Sequence, residues 1–381
     1  MSEPTPAPRA LRRAGDHPDD VRRAVQILQQ GGIGGLPTET VYGLAADAFQ
    51  PRAVARVFEA KQRPAFDPLI VHLPHLDWLP RVAREVSPLA RQLAETFWPG
   101  PLTLVLPRQA AVPDLVTSGL ESVAVRIPAH PLAREVIAQV GSPLAAPSAN
   151  PFGRISPTTA QHVCDQLADR IDFVLDGGPC TVGVESTIVQ VEPEGLRLLR
   201  PGGATVEEIT AAFPQVTWLM SLTAPSQTAP QVAPGQLTQH YAPRTPLEVV
   251  APSEFASRVQ AWHPLCPTSR LGLLCWQEPP SLPSNSPRSQ IITHILSREG
   301  DLRTAAARLF ASLRELDAAQ TELILAEQVP ETGLGRAIND RLRRAGARGQ
   351  EQNGSVNSPY SAPNGVRSSK NEWNPREDEK N

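Results

Sequence analysis

The chain has 381 residues, of which 40% are hydrophobic and 20% charged, with a net charge of −3. This balance fits a folded protein of about two domains and excludes a wholly disordered chain. It also argues against a generic coat for polyanions while leaving room for a local basic pocket, and no run approaches the roughly 18 apolar residues a membrane span needs.

Met1 to Arg13 carry prolines and arginines without an apolar centre, so they do not read as a secretory leader. Residues 1–17 are expected to be a flexible N-terminus. Asp19 and Asp20 open a helix with Val21, Val25 and Leu28 on one face, and Gly31-Gly32 ends it. A short buried strand, Ile33 to Leu36, runs into Pro37-Thr38-Glu39-Thr40-Val41-Tyr42-Gly43-Leu44. This reads as a loop presenting polar groups at a strand end, where open α/β sheets bind ligands.

Pro51 starts the next helix. Val54, Val57 and Phe58 face inward, Lys61-Gln62-Arg63 closes it, and Pro64 blocks continuation. Leu69 to Leu73 is a buried strand with His72 near its end. A helix from Pro88 to Phe97 leads through Pro99-Gly100-Pro101 into the strand Leu102 to Leu106. The strand Ser122 to Pro128 holds Arg126 inside an apolar run, a costly place for a charge unless it is paired or faces a ligand. Leu144 to Asn150 is a strand entering a loop of small residues. Ser156 is expected to cap a helix with Pro157 in its first turn, which would make an anion site. Further strands are expected at Asp172 to Leu175, Val184 to Val189 and Leu196 to Arg200.

Residues 219–243 form a Pro-rich linker ending in Gln239-His240-Tyr241-Ala242-Pro243. A second α/β pattern follows over residues 244–346. Its strands are Leu247 to Val250, Leu271 to Trp276 and Leu323 to Ala326, with helices from Leu302 to Leu316 and from about Gly335 to Arg344. Residues 347–381 are rich in polar residues and are expected to be disordered.

Four cysteines, Cys164, Cys180, Cys266 and Cys275, form no CxxC pair and are expected to be reduced thiols of a cytoplasmic protein. No protein-built metal cage is expected. Of 36 Lys+Arg only Lys61, Lys370 and Lys380 are lysines. Lys61 is therefore the one lysine in the folded part, where a compact point charge suits a phosphate. The loops of the first 218 residues gather Thr, Ser, Asn, His and Arg around it. No Ser-His-Asp or Cys-His set stands at recognisable spacing. Such a set of groups suits orienting a polyanion and a small polar molecule, as phosphoryl or nucleotidyl transfer requires.

The motifs Pro37 to Leu44, Lys61-x-Arg63, Pro68 to His72, Trp98 to Thr103, Val123 to Arg126, Ala146 to Asn150, Gly183 to Thr187 and Leu199 to Gly202, in that order and spacing, resemble the YrdC-like L-threonylcarbamoyladenylate synthases. His240-Tyr241-Ala242-Pro243 and the second α/β region resemble the long, two-domain branch. The resemblance spans residues 18 to 346. It implies a YrdC-like twisted open mixed sheet with helices over residues 18–218, then a smaller Rossmann-like α/β domain. It implies that ATP, L-threonine and bicarbonate give threonylcarbamoyl-AMP, pyrophosphate and water, with Mg²⁺ accompanying ATP. A separate tRNA threonylcarbamoyl transferase would use the product next to the anticodon, so direct tRNA contact is not required.

By the same resemblance Lys61 and Arg63 are the catalytic cations. With Asp67, Ser122, Ser148, Asn150, Ser156, Arg200 and Tyr241 they would hold ATP, while Thr40, His72, Arg126, Ala146 and Ser186 would hold threonine. The linker around Tyr241 would close over the site. The loop Pro151-Phe152-Gly153-Arg154-Ile155 departs from the family, in which many members have a polar residue and a second serine. An RNA-binding module on the same fold is the alternative. The 19 Lys+Arg against 23 Asp+Glu in residues 1–218 speak against the broad phosphate footprint it would need. A related carbamoyl-AMP-forming maturation enzyme would bring zinc-finger cysteines, which this sequence lacks.

Overall fold

The computed structural model describes residues 11–15, 17–219, 233, 240–265, 269–281 and 290–353. In chain order the first part comprises β1 (Leu11–Ala14), α1 (Pro18–Gln29), β2 (Gly34–Leu36), β3 (Gly43–Asp47), α2 (Pro51–Lys61), β4 (Ile70–His72), α3 (Pro88–Phe97), β5 (Leu102–Pro107), α4 (Asp114–Thr117), β6 (Ser122–Arg126), α5 (Pro131–Val140), β7 (Leu144–Ala145), α6 (Ala160–Leu167), β8 (Phe173–Asp176), β9 (Thr187–Glu192), β10 (Gly195–Arg200), α7 (Val206–Ala212) and β11 (Trp218–Leu219). The second part comprises β12 (Leu247–Val250), α8 (Pro252–Leu265), β13 (Leu271–Cys275), β14 (Ile291–Ile295), α9 (Leu302–Ala318), β15 (Leu323–Glu327) and α10 (Gly335–Asn353).

The first eleven strands form one mixed sheet in the order β1-β8-β2-β3-β7-β4-β6-β5-β9-β10-β11, and the last four a sheet in the order β12-β15-β13-β14. Every pair in the second sheet is parallel, the Rossmann-like pattern expected of it. In the first, β4 and β6 run parallel with His72 opposite Arg126. These two residues therefore sit together at the carboxyl ends of neighbouring strands. β7 joins them from the other side, with Ala145 opposite Val71. A bridge between Gly43 and Ser148 draws the loop before β3 toward the loop after β7.

Helices α2 and α3 form where the apolar spacing and proline starts place them. In α2, Pro51 sits in the first turn and Ala53, Val54, Val57 and Phe58 are buried on one face. Lys61 lies three residues beyond Phe58, on that same inward face, and is itself buried. The helix stops because Gln62 takes a left-handed conformation, φ 52°.

One apolar cluster does not belong to either part alone. Val41, Ile155 and Val184 from the first, with Tyr241 of the linker, pack together with Leu309, Phe310 and Leu313 of α9 and Ile338 and Leu342 of α10. Gly183 permits this approach. It has φ +78°, and a Cβ there would stand 2.3 Å from the Ala307 backbone.

Several expectations need correction. Leu11–Ala14, assigned to a flexible terminus, pairs parallel with β8. The loop expected over residues 37–44 gives way to β3 at Gly43. Its Gly-Leu-Ala-Ala-Asp sequence is buried throughout, so it carries no alternating pattern. Ser156 caps no helix: α6 starts at Ala160, and Thr159 is its N-cap, accepting from the His162 amide. The strand expected from Val184 begins at Thr187. Helix α10 continues to Asn353, past the start of the expected disordered tail. Cys180 and Cys275 are free thiols. Cys266, residues 354–381 and all of residues 220–239 except Ala233 lie outside the described residues. Ala233 is buried against Ile70, Val105, Ala124 and Ile188.

Candidate active site

A cavity opens at the carboxyl ends of β4 and β6. Its lining includes Thr40, His72, Arg126, Ala146 and Ser186, all five residues expected to hold threonine. The turn before β3 is pinned by one hydroxyl. Thr38 Oγ1 donates to the Val41 carbonyl at 2.6 Å and accepts the Thr40 and Val41 amides at 3.2 and 3.3 Å. This fixes Thr40 Oγ1, which accepts from Arg126 Nη1 at 2.8 Å. Arg126 also donates from Nε to the Gly100 carbonyl at 3.1 Å, and its Nη2 stands 2.5 Å from Glu39 Oε1. The arginine inside an apolar strand is thus paired with a carboxylate, and that partner, Glu39, went unassigned from sequence. Ser186 Oγ shares a 2.8 Å hydrogen bond with Thr103 Oγ1. Burial, with Arg126 beside it, pushes the His72 imidazole down to about 3, so the ring is neutral at physiological pH.

Arg63, Ser148, Arg200 and Tyr241 line the other side of the same cavity. Lys61 stands just behind Ser148. Its side chain is 1% exposed, and its ammonium donates at 2.5 Å to the carbonyls of both Ser148 and Asn150. Burial holds its pKa well below the usual lysine range, and Arg63 adds to the effect. Arg63 donates to the Asp67 and Pro68 carbonyls at 2.9 and 2.8 Å and pairs with Asp67 Oδ2 at 2.9 Å. Burial raises the Asp67 carboxyl, and Arg63, Lys61 and Arg200 pull the other way. Arg200 donates to the Ser186 carbonyl at 2.9 Å and to its hydroxyl at 3.2 Å. It therefore links the two halves of the cavity. Together these side chains form an electropositive wall with backbone oxygens as its main internal partners.

The remaining expected nucleotide residues stand outside the lining. Asn150 Nδ2 donates to the Pro151 and Arg154 carbonyls at 2.8 and 2.9 Å, which shapes the loop that departs from the family. Ser156 Oγ donates to Glu185 Oε1 at 2.5 Å. A hydroxyl whose proton is committed to a carboxylate offers a ligand only lone pairs, so it suits a ribose hydroxyl better than a phosphate oxygen. Ser122 begins β6, and Arg126 ends it. At the usual strand rise of about 3.3 Å per residue the two lie roughly 13 Å apart, so Ser122, expected at the nucleotide, stands at the opposite end of β6 from Arg126 of the threonine set.

Glu185 is the second functional carboxylate that sequence reading left without a role. Burial alone would raise its pKa, but Arg341, Arg200 and Ser156 hold it below the carboxylate range. Its Oε2 accepts from Arg341 Nε of α10 at 2.7 Å. No sequence signal marks Arg341, which sits among Arg343 and Arg344 in an ordinary basic helix. Among the described residues no group of three His, Cys, Asp or Glu side chains could hold a metal.

The linker end fills the space between the walls. The Ala242 amide donates to the Gly153 carbonyl at 2.8 Å, anchoring the linker on the 151–155 loop. Tyr241 adopts φ 66°, stacks on Phe310 with ring centroids 5.7 Å apart, and lies 5.1 Å from the Arg341 guanidinium. Its buried hydroxyl has no hydrogen-bond partner among the described residues. His240 packs edge-on against Phe152 and Tyr241, at 5.8 and 4.1 Å. The water-accessible space left is about 50 Å³, room for about four waters and far too little for a nucleotide.

A mixed α/β sheet with a buried cationic wall on one side of a cavity and a threonine, serine and arginine set on the other is the kind of site suited to a small polar molecule beside an anion. The comparisons with known proteins narrow this. The family model described as "Telomere recombination", which covers Sua5, YciO and YrdC proteins, matches residues 26–202. The model for the threonylcarbamoyl-AMP synthase C-terminal domain matches residues 204–347. A threonylcarbamoyl-AMP synthase of Pyrococcus abyssi is 39% identical over 326 residues, 85% of this chain and 93% of the relative. One from Bacillus subtilis is 38% identical over 328 residues, 85% of this chain and 92% of the relative. The crystal structure of P. abyssi Sua5 complexed with L-threonine superposes with a TM-score of 0.79 at 36% identity, covering 88% of this chain and 97% of that one. The chain belongs to the Sua5/YrdC family of threonylcarbamoyl-AMP synthases, in its long two-domain form.

Proposed function

We propose that this chain makes L-threonylcarbamoyladenylate from ATP, L-threonine and bicarbonate, releasing pyrophosphate and water. The observation that carries the reading is that one cavity is lined both by Thr40, His72, Arg126, Ala146 and Ser186 and by Arg63, Ser148, Arg200 and Tyr241. The relatives' name and the threonine-bound P. abyssi structure support the same assignment. Arg126 and Thr40 are assigned to threonine's carboxylate, since a guanidinium matches that geometry. Lys61, Arg63 and Arg200 are assigned to the ATP phosphates, with Ser148, Asn150, Ser156 and Asp67 shaping their surroundings.

In this mechanism threonine's amine attacks the carbon of bicarbonate or of the CO2 derived from it. It loses a proton and becomes a carbamate, and water leaves. A carbamate oxygen then attacks the α-phosphorus of ATP, and the bond to the β-phosphate bridging oxygen breaks to release pyrophosphate. The cationic wall stabilises charge on the transferred and leaving phosphates, the usual main source of catalysis in such steps. Mg²⁺ is proposed to arrive with ATP. Asp67 and Glu185, the carboxylates nearest the cationic wall, are engaged with Arg63 and Arg341, so they are not assigned as its ligands. For ATP to enter, His240 and Tyr241 must leave the space they fill. Returning, they would exclude water from a hydrolysable product. The product serves a separate transferase acting on tRNA, for which a cytoplasmic setting is the natural one.

The test is pyrophosphate release with ATP, threonine and bicarbonate, each omitted in turn. Release should require all three. Release that persists without threonine would refute the reading.

A further inference from the structure

We propose that Arg341, supplied by the second domain, is a positioning residue for the nucleotide half of the pocket and acts through Glu185 and Ser156. The proposal rests on the adenylate-forming reading above and goes beyond it, because it gives the second domain a part in the chemistry.

Arg341 is completely buried. Its Nε donates to Glu185 Oε2 at 2.7 Å, and its Nη1 donates to the Pro201 carbonyl at 3.0 Å and to Asp340 Oδ2 at 2.7 Å. The first two contacts cross from α10 into the first domain. Both land beside assigned nucleotide residues. Glu185 holds Ser156 with its other oxygen, and Pro201 follows Arg200. The guanidinium also faces the Tyr241 ring at 5.1 Å. One side chain from α10 thus touches the supports of Ser156, Arg200 and Tyr241 together.

A role in merely joining the domains would not call for this residue. Buried ion pairs are weak stabilisers, and well-packed apolar replacements are often neutral or better. The apolar cluster of Val41, Ile155 and Val184 with Leu309, Phe310 and Leu313 already joins the two parts. What a buried arginine supplies, and an apolar residue cannot, is a fixed anion at Glu185. The groups facing Glu185 are Arg341, with Asp340 beside it, from α10, Arg200 from the end of β10, Lys61 from the end of α2, and Ser156, Cys180 and Tyr241. If Arg341 is removed, Arg200 is the next cation in line. Drawing it to Glu185 would take it away from Ser186 and from the phosphates. Gly202 transmits the same constraint. A Cβ there would stand 2.3 Å from the Glu185 carbonyl, so the chain after Arg200 and the chain at Glu185 are pressed together.

The experiment compares full-length wild type with Arg341→Lys, Arg341→Gln and the double variant Arg341→Gln/Glu185→Gln. Three quantities are read: the ATP dissociation constant by calorimetry, the KM for threonine, and the pH profile of pyrophosphate release. Arg341→Gln should weaken ATP binding on the order of 10²-fold, as breaking a buried charge pair does. The threonine KM should change much less than the ATP affinity, because Arg126 and Thr40 keep their contacts and only Ser186 loses Arg200. Its activity should fall off on the acid side at a higher pH than wild type, since Glu185 has lost its strongest cationic neighbour and protonates sooner. Arg341→Lys should restore much of the ATP affinity and the wild-type acid limb, which a purely steric filler would not do. The double variant removes both charges and so tolerates folding where the single variant does not. It should still bind ATP weakly. Wild-type ATP affinity in a folded Arg341→Gln, or in the double variant, would overturn the proposal. Threonine-independent release by the wild-type chain would instead count against the reaction itself, and the ATP-binding comparison would still decide the role of Arg341.

Discussion

Replacing Lys61 by methionine separates the stability of the pocket from its chemistry. The ammonium donates to two carbonyls at 2.5 Å and is 1% exposed. Methionine leaves the Ser148 and Asn150 carbonyls without that donor, at about 1–3 kcal/mol each. It also removes the penalty of keeping an ammonium out of water, still several kcal/mol after relaxation. The two are of similar size, so stability at pH 7 should change by no more than about 2 kcal/mol.

The pH dependence has a definite sign. Burial lowers the folded-state pKa of Lys61, so between that value and the unfolded value of about 10.4 the unfolded chain binds more protons. Wild-type stability therefore gains with rising pH across that window, and Lys61→Met lacks this gain. Activity behaves differently. Loss of one buried charge assigned to the phosphates should lower kcat/KM about 10²-fold or more, equivalent to about 2.7 kcal/mol of barrier. Urea unfolding at several pH values and threonine-dependent pyrophosphate release measure the two effects. Lys61→Arg should also be poor, since a planar fork does not replace a point charge wedged between two carbonyls. Folded Lys61→Met releasing pyrophosphate within about threefold of wild type would refute the reasoning.

Three further outcomes are expected. Tyr241→Phe removes a buried hydroxyl that has no partner among the described residues, so it should raise stability by about 1 kcal/mol while lowering ATP-dependent turnover; unchanged turnover in kinetic assays would show that the hydroxyl is not kept for the nucleotide. Gly183→Ala should cost about 2–4 kcal/mol in urea unfolding, because it adds a Cβ at a positive φ against the α9 backbone; a loss below about 0.5 kcal/mol would show that α9 yields freely. The His72 imidazole has a folded pKa of about 3, below its unfolded value, so the unfolded state binds the extra proton between about pH 3 and 6.5. Stability is lost as pH falls through that window, and His72→Gln should make the slope shallower by up to about 1.36 kcal/mol per pH unit; an unchanged slope between pH 5 and 6.5 would contradict it.

The parts of this molecule that were legible in the sequence are those where a residue conflicts with its neighbourhood. Arg126 in an apolar strand announces a buried charge, and Lys61 stands out among arginines. Both prove to be buried, Arg126 in the cavity lining and Lys61 behind Ser148. The register of β4 and β6 then brings His72 and Arg126 side by side. Glu39 and Glu185 were harder to read, because an acidic residue in a polar loop is ordinary until its partner is known. Arg341 was invisible for a related reason. Its role comes from a contact 156 residues away in the chain, while its local setting is a common basic helix. Ser156 was misplaced because serine followed by proline satisfies the rules for a helix start, yet its hydroxyl is taken by Glu185 and Thr159 caps the helix instead. Strand β3 was missed because small residues buried on both faces show no alternation.

The cluster that binds Val41, Ile155 and Val184 to α9 and α10 also sets an order of events during synthesis. The first domain leaves the ribosome with these apolar side chains uncovered. Phe310 follows Val184 by 126 residues, which at roughly 5–20 residues per second is a delay of about 6–25 s. Through that interval the nascent chain carries a sticky surface next to an unfinished cationic wall, with Glu185 not yet met by Arg341. With the role proposed for Arg341, the pocket should become fully competent only when the last helix docks. Truncation before α10 should therefore yield a chain that associates with other chains, and the enzyme's adenylating power should appear late, with completion of the C-terminal half.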